Sequence, residues 1–124
     1  MKNLVLFTVL CLTAGCHDAP PPVDEVALAA ITAGALVVDV RTTDEFSSGH
    51  FAGAINIPHE SIVDGLRARD ISPDQAVVLY CRTGNRSGKA QQAMRTAGYT
   101  SVSNAGGLEA LLKATHTEPT QPRT

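Results

Sequence analysis

Ala76-Val77-Val78-Leu79-Tyr80-Cys81-Arg82-Thr83-Gly84-Asn85-Arg86-Ser87 is the stretch that decides the fold. Its first five residues form a continuous apolar run rich in valine, the pattern of a strand buried on both faces, as in parallel sheets. From Ser87 to Ala97 the chain becomes helix-compatible, and Gly98 supplies the residue that helix C-termini favour. A buried strand, a short loop and a helix in that order suggest an α/β layer architecture.

Upstream, Val26 to Ala33 has helical character, and Ala35-Leu36-Val37-Val38-Asp39-Val40 is a second continuous β-branched run. Thr43-Asp44-Glu45-Phe46 reads as a short capped helix, and Ala54-Ile55-Asn56-Ile57-Pro58 as a strand closed by proline. Residues 60–68 suit another helix with Ile62, Val63 and Leu66 on one face, and Ser72-Pro73-Asp74 is a turn. Downstream, Tyr99 to Ser103 reads as a fourth strand, Asn104 to Gly107 as a turn, and the residues through Lys113 as a last helix. Strands alternating with helices at this spacing predict a mainly parallel sheet covered on both faces. Sites in such sheets lie beyond the carboxyl ends of the strands, where Cys81 falls.

At 124 residues the chain holds one domain and has no room for a separate cofactor domain. With 4% aromatic residues and no Trp, the core must be aliphatic. A formal net charge of −2, without a run of Lys or Arg, excludes nucleic acid as an expected partner.

The amino terminus has its own logic. Lys2 precedes an apolar stretch from Leu4 to Leu12, followed by Thr13-Ala14-Gly15-Cys16, the layout of an export signal over residues 1–15. The stretch falls short of the roughly 20 apolar residues that span a bilayer. Ala14-Gly15-Cys16 resembles a lipobox, in which Cys16 is lipidated and anchors the chain to a membrane, with Thr13 in place of the usual Leu. The expected destination is the bacterial envelope, on the periplasmic side. Residues 16–24, with Pro20-Pro21-Pro22, read as a tether, 25–114 as the domain, and 115–124 as a disordered tail. If Cys11 leaves with the signal and Cys16 carries lipid, Cys81 is the one free thiol, and an unpaired thiol in an oxidising compartment points to chemistry.

The chemistry concentrates in Cys81-Arg82-Thr83-Gly84-Asn85-Arg86-Ser87. A loop of this length can curl its N–H groups around the cysteine while the following helix directs its positive end to the same point. Both effects, with nearby arginines, favour a thiolate, the nucleophilic form. Gly84 allows a positive φ, and Arg82 and Arg86 would supply charge for an anionic substrate.

This loop resembles the active-site loop of the rhodanese family, whose nucleophilic cysteine opens a six-residue loop. Asp39-Val40-Arg41, Glu45-Phe46, Gly49-His50-Phe51 and Gly53-Ala54-Ile55-Asn56-Ile57-Pro58 are similar to the family's amino-terminal motif. Gly98-Tyr99 and Asn104-Ala105-Gly106-Gly107-Leu108 are similar to its carboxyl-terminal pattern, so that the resemblance spans about residues 35–112. It implies a three-layer fold with a mainly parallel sheet of four to five strands and helices on both faces. The short chain before Asp39 leaves an edge strand there missing or very short. The resemblance also implies a sulfurtransferase, close to small exported bacterial members. Cys81 would take sulfur as a persulfide from thiosulfate or another sulfane-sulfur donor and pass it to a thiol, cyanide or a protein. Arg82, Thr83, Gly84, Asn85, Arg86 and Ser87 would bind the substrate. No cofactor or metal is called for.

Rival readings are a cysteine phosphatase or arsenate reductase, a binding module without activity, and a sulfur-relay or thiol-redox protein. Phosphatase loops place five residues between Cys and Arg, whereas four separate Cys81 from Arg86. Asp39 and Arg41 read first as a buried ion pair and second as supports for the loop. His50 and His59 are expected to pack rather than act as bases, because an ionised thiol needs none. Tyr80 and Phe46 read as core.

Overall fold

The computed structural model describes residues 22–121. The expected export signal, Cys11, Cys16 and most of the expected tether lie outside the described residues. The elements run α1 (Glu25–Thr32), β1 (Leu36–Asp39), α2 (Thr43–Ser48), β2 (Ile55–Asn56), a 3-10 turn (His59–Ser61), α3 (Ile62–Ala68), β3 (Val77–Cys81), α4 (Asn85–Thr96), β4 (Val102–Gly107) and α5 (Leu108–Thr115). The four strands form a parallel sheet in the order β2-β1-β3-β4. No edge strand precedes β1 among the described residues.

Alternation along the two central strands sorts their side chains into two cores. Val38, Val40, Val77, Leu79 and Cys81 pack with Ile62 and Leu66 of α3 and Ala90 and Met94 of α4. Val37, Val78 and Tyr80 pack on the other face with Ala27 of α1, Phe51, and Leu111 of α5. Every residue of β3 is buried, as its unbroken apolar run requires. The same alternation places the Cys81 sulfur on the α4 face and the Tyr80 ring on the opposite one.

Three expectations need correction. Asn104 to Gly107 is strand, not turn, and the ladder to β3 shifts register there, from Leu79 opposite Asn104 to Tyr80 opposite Gly106. One extra residue on β4 is accommodated by Gly106 at φ +84. The fourth strand accordingly starts at Val102 rather than Tyr99. Second, α4 begins at Asn85, two residues before the expected start, because Gly84 takes the N-cap position at φ +95. Third, the carboxyl-terminal tail is not structureless through residue 121. After α5 the chain turns at His116, φ +53, and Thr120 forms an antiparallel bridge with His50, with N···O distances of 2.8 and 2.9 Å.

Candidate active site

Cys81 ends β3 and is followed immediately by the turn into α4. A helix N-terminus has backbone donors that a Ser, Thr, Asp or Asn side chain usually satisfies. The N-cap here is Gly84, which has no side chain to offer. The Cys81 sulfur takes that place. Gly84 N–H donates to Sγ at 3.0 Å, the Ser87 hydroxyl lies 3.4 Å from it, and the amides of Thr83 and Ser87 face it. Burial pushes the thiol up, but the Ser87 hydroxyl and the three loop amides outweigh it and hold Cys81 below the ordinary thiol range. The residue is 0% exposed.

Behind Arg82 the loop is closed by backbone. Gly107 of β4 lies so close that a Cβ there would sit 2.5 Å from the Arg82 carbonyl oxygen, and a Cβ on Gly84 would sit 3.2 Å from Gly106 Cα. Gly107→Ala is therefore expected to displace the Cys81 loop, cost about 1–3 kcal/mol, and slow reaction at the sulfur. Urea unfolding and the alkylation rate of Cys81 check this, and a variant unchanged in both would contradict the close packing.

The expected substrate-binding residues fall into three groups. Gly84 and Ser87 turn donors toward the sulfur. Arg82, Thr83 and Asn85 stand exposed on the rim. Arg86 differs from the expectation of a free cation, because it forms a two-pronged pair with Glu45 of α2, at 2.6 and 3.0 Å. Arg86 brings Glu45 down to about 2. Glu45 also accepts from Thr42 N–H and Oγ, closing the capping box of α2. One carboxylate thus ties the start of α2 to the sulfur loop. The Thr42-to-Glu45 spacing was a visible sign of the cap, but nothing in the sequence reveals a partner 41 residues away.

Asp39 and Arg41 sit on the other side of the sheet from Cys81. Asp39, 0% exposed, accepts from Arg41 N–H at 2.9 Å, Arg41 Nε at 3.0 Å, Arg41 Nη2 at 2.6 Å and the Tyr80 hydroxyl at 2.8 Å. Arg41 Nη2 also donates to the Gly49 carbonyl at 2.7 Å, and Phe51 N–H donates to the Tyr80 hydroxyl at 2.9 Å. Tyr80 is core, as expected, but its hydroxyl joins the strand ends to the segment after α2. That contact follows from register, since Asp39 and Tyr80 are directly paired. Phe46 is only partly buried and stacks on His50, with ring centroids 3.7 Å apart. His50 Nδ1 donates to the Phe46 carbonyl at 2.9 Å, and His59 pairs with Glu60 at 3.5 Å. Neither histidine bonds to Cys81. Among the described residues no cluster of His, Cys, Asp and Glu is arranged to hold a metal.

Comparison with known proteins agrees with this geometry. The thiosulfate sulfurtransferase PspE of Escherichia coli (strain K12) is 36% identical over 72 residues, covering 58% of this chain and 69% of its own. The thiosulfate sulfurtransferase GlpE of Pseudomonas fluorescens (strain SBW25) is 36% identical over 77 residues, covering 61% and 69%. Among solved structures, a rhodanese with anions from E. coli superposes with a TM-score of 0.63 at 30% identity, over 70% of this chain and 98% of that one. The rhodanese-like domain family matches residues 23–114, which include all four strands, the whole cysteine loop and every helix but the last residue of α5. With a parallel sheet, a buried thiol capping α4 and this match, the chain belongs to the rhodanese-like domain family.

Proposed function

We propose that the protein is a thiosulfate sulfurtransferase working through a persulfide on Cys81. The observation that carries this reading is the sulfur in the capping position of α4, surrounded by donors that favour charge on it. The Cys81 thiolate attacks the outer sulfur of thiosulfate. A new S–S bond forms, the thiosulfate S–S bond breaks, and its electron pair leaves with sulfite. The resulting Cys81 persulfide is an anion of the same charge, one bond longer, and it lies within reach of the same loop amides. A thiophile then attacks the outer sulfur and regenerates the thiolate. With cyanide as acceptor the product is thiocyanate. Arg82 on the rim meets the donor's oxyanion, while Arg86, neutralised by Glu45, orders the loop.

The similarity of the chain to relatives named thiosulfate sulfurtransferase supports the same donor. The expected result is thiocyanate formation that depends on both thiosulfate and cyanide. If the protein makes none while a persulfide-bearing thiol or protein loads Cys81, it is a relay rather than a thiosulfate enzyme.

The lipid anchor and envelope location belong to this proposal too, and rest on the Lys2-to-Cys16 layout. Fatty-acid labelling in a bacterial host is expected for the wild type and absent in Cys16→Ser. Equal labelling of the two, or none in either, would remove the anchor.

A further inference from the structure

Ser87 carries one hydroxyl proton and stands between two acceptors. Its Oγ lies 2.7 Å from Asn104 Oδ1 and 3.4 Å from Cys81 Sγ. A hydroxyl donates once, so the two contacts cannot both be Ser87 donations at the same moment. Which acceptor takes the proton depends on what Asn104 presents, and Asn104 is fixed from both ends. Its Nδ2 donates to the Gly84 carbonyl at 3.1 Å, and its Oδ1 accepts from Gly106 N–H at 2.9 Å. The opposite amide orientation would set an NH2 against the Gly106 N–H and an oxygen against the Gly84 carbonyl, losing both bonds. Oδ1 is therefore held as the acceptor facing Ser87.

We propose that Asn104 is a positioning residue that acts on Cys81 through Ser87: it holds the Ser87 proton while the thiol is neutral and releases it, by rotation of the O–H bond, to the sulfur once that is charged. The inference rests on the reading of Cys81 as the nucleophile. With the thiol protonated, Ser87 donates to Asn104. When the thiolate or persulfide forms, the proton turns to sulfur, because a hydrogen bond to a charged acceptor is the stronger one. Asn104 Oδ1 then keeps the Gly106 N–H and is not left bare. The two oxygens, 2.7 Å apart while the proton lies between them, then relax away from each other, and the hydroxyl already stands beside the sulfur when the charge arrives.

The bond from Asn104 to Gly84 is not the route of this effect. The Gly84 carbonyl also accepts from Gly88 N–H at 2.9 Å, within the first turn of α4, and keeps that bond when Asn104 is cut back. Other charges near the sulfur are Arg86 with its partner Glu45, and Arg82 on the rim; Asp39 and Arg41 lie across the sheet. None of these touches Asn104, and each stays in place when it is replaced.

The test measures the pH midpoint of Cys81 alkylation by iodoacetamide, read on the Cys81 peptide of the full chain by mass spectrometry. Ser87→Ala is expected to raise the midpoint by about one pH unit, the worth of one hydrogen bond to a charged acceptor. Asn104→Ala removes the competing acceptor and should lower the midpoint, and the double variant should keep the raised midpoint of Ser87→Ala, because without the hydroxyl Asn104 has no route to the sulfur. Asn104→Asp keeps the shape of the side chain, and its carboxylate holds the Ser87 proton more firmly. It should raise the midpoint more with the Ser87 hydroxyl present than in Ser87→Ala, where only its charge acts, and it serves if the alanine variant fails to fold. An unmoved or raised midpoint in Asn104→Ala, or a double variant displaced from Ser87→Ala, would overturn the proposal. No sulfur donor is present in this experiment, so absence of sulfurtransfer would leave its outcome unaffected, and the two readings fail separately.

Discussion

Asp39→Ala is expected to lower the free energy of unfolding by about 3–5 kcal/mol, because it strands a buried guanidinium. Arg41 is 7% exposed, and its guanidinium would retain the Gly49 carbonyl as its one hydrogen-bond acceptor, beside the Tyr80 ring 5.8 Å away. Tyr80 would lose the acceptor of its hydroxyl, and the segment from Gly49 to Phe51 would lose its tie to the strand ends. Against a typical domain stability of about 5–15 kcal/mol, this leaves a marginal fold. Tyr80→Phe removes one hydroxyl and should cost about 1–2 kcal/mol, including the unpaired Phe51 N–H. Urea unfolding of the two variants ranks them. A loss below about 1 kcal/mol for Asp39→Ala would mean that water reaches Arg41 and that the pair is not the joint described here.

The parts of this fold that are legible in the sequence are those in which burial is uniform. Apart from Asp39 at the end of β1, the residues of β1 and β3 form unbroken apolar runs because helices cover both faces. Helix α4 is legible in its body and end, with Gly98 at φ +95 just past its C-cap. Its start is obscured because the capping acceptor is the Cys81 sulfur, three residues back, and not a residue at the cap itself. Strand β4 is obscured for a different reason. The close passage of its end against Arg82 admits only glycine at 107, and Asn104-Ala105-Gly106-Gly107 contains no β-branched residue to mark a strand. The bridge between Thr120 and His50 depends on backbone groups alone, and backbone pairing leaves little trace in side-chain identity.

The site divides in the same way. Cys81 and its loop are legible because a thiol, a glycine and arginines at the end of a buried strand form a local pattern. The partners of that loop are distant in sequence: Glu45 on Arg86, Asn104 on Ser87 and Gly84, and Gly107 behind Arg82. Each is set by which strands and helices become neighbours, and only the tertiary arrangement decides that. Arg86 is the clearest case. As sequence it is a cation free for a substrate; in the fold it is already paired, which leaves Arg82 as the exposed arginine of the loop.

Cys81→Ser is expected to reduce thiosulfate-dependent thiocyanate formation by at least about 10³-fold, since a serine hydroxyl in the same cradle is not ionised near neutral pH. The fold should be retained, because the substitution is nearly isosteric and the loop donors keep an acceptor. In the wild type the rate should fall as pH falls through the depressed value of Cys81, where the thiolate is lost, and level off above it. A rate that rises as pH falls would require another group to carry the reaction.

The most direct measurement is the intact mass of the protein before and after exposure to thiosulfate, for wild type and Cys81→Ser, followed by cyanide. The account predicts a gain of one sulfur atom, about 32 Da, in the wild type only, and its removal by cyanide. An unchanged wild-type mass while Cys81 still alkylates, or the same gain in Cys81→Ser, would contradict a thiosulfate-derived persulfide on Cys81.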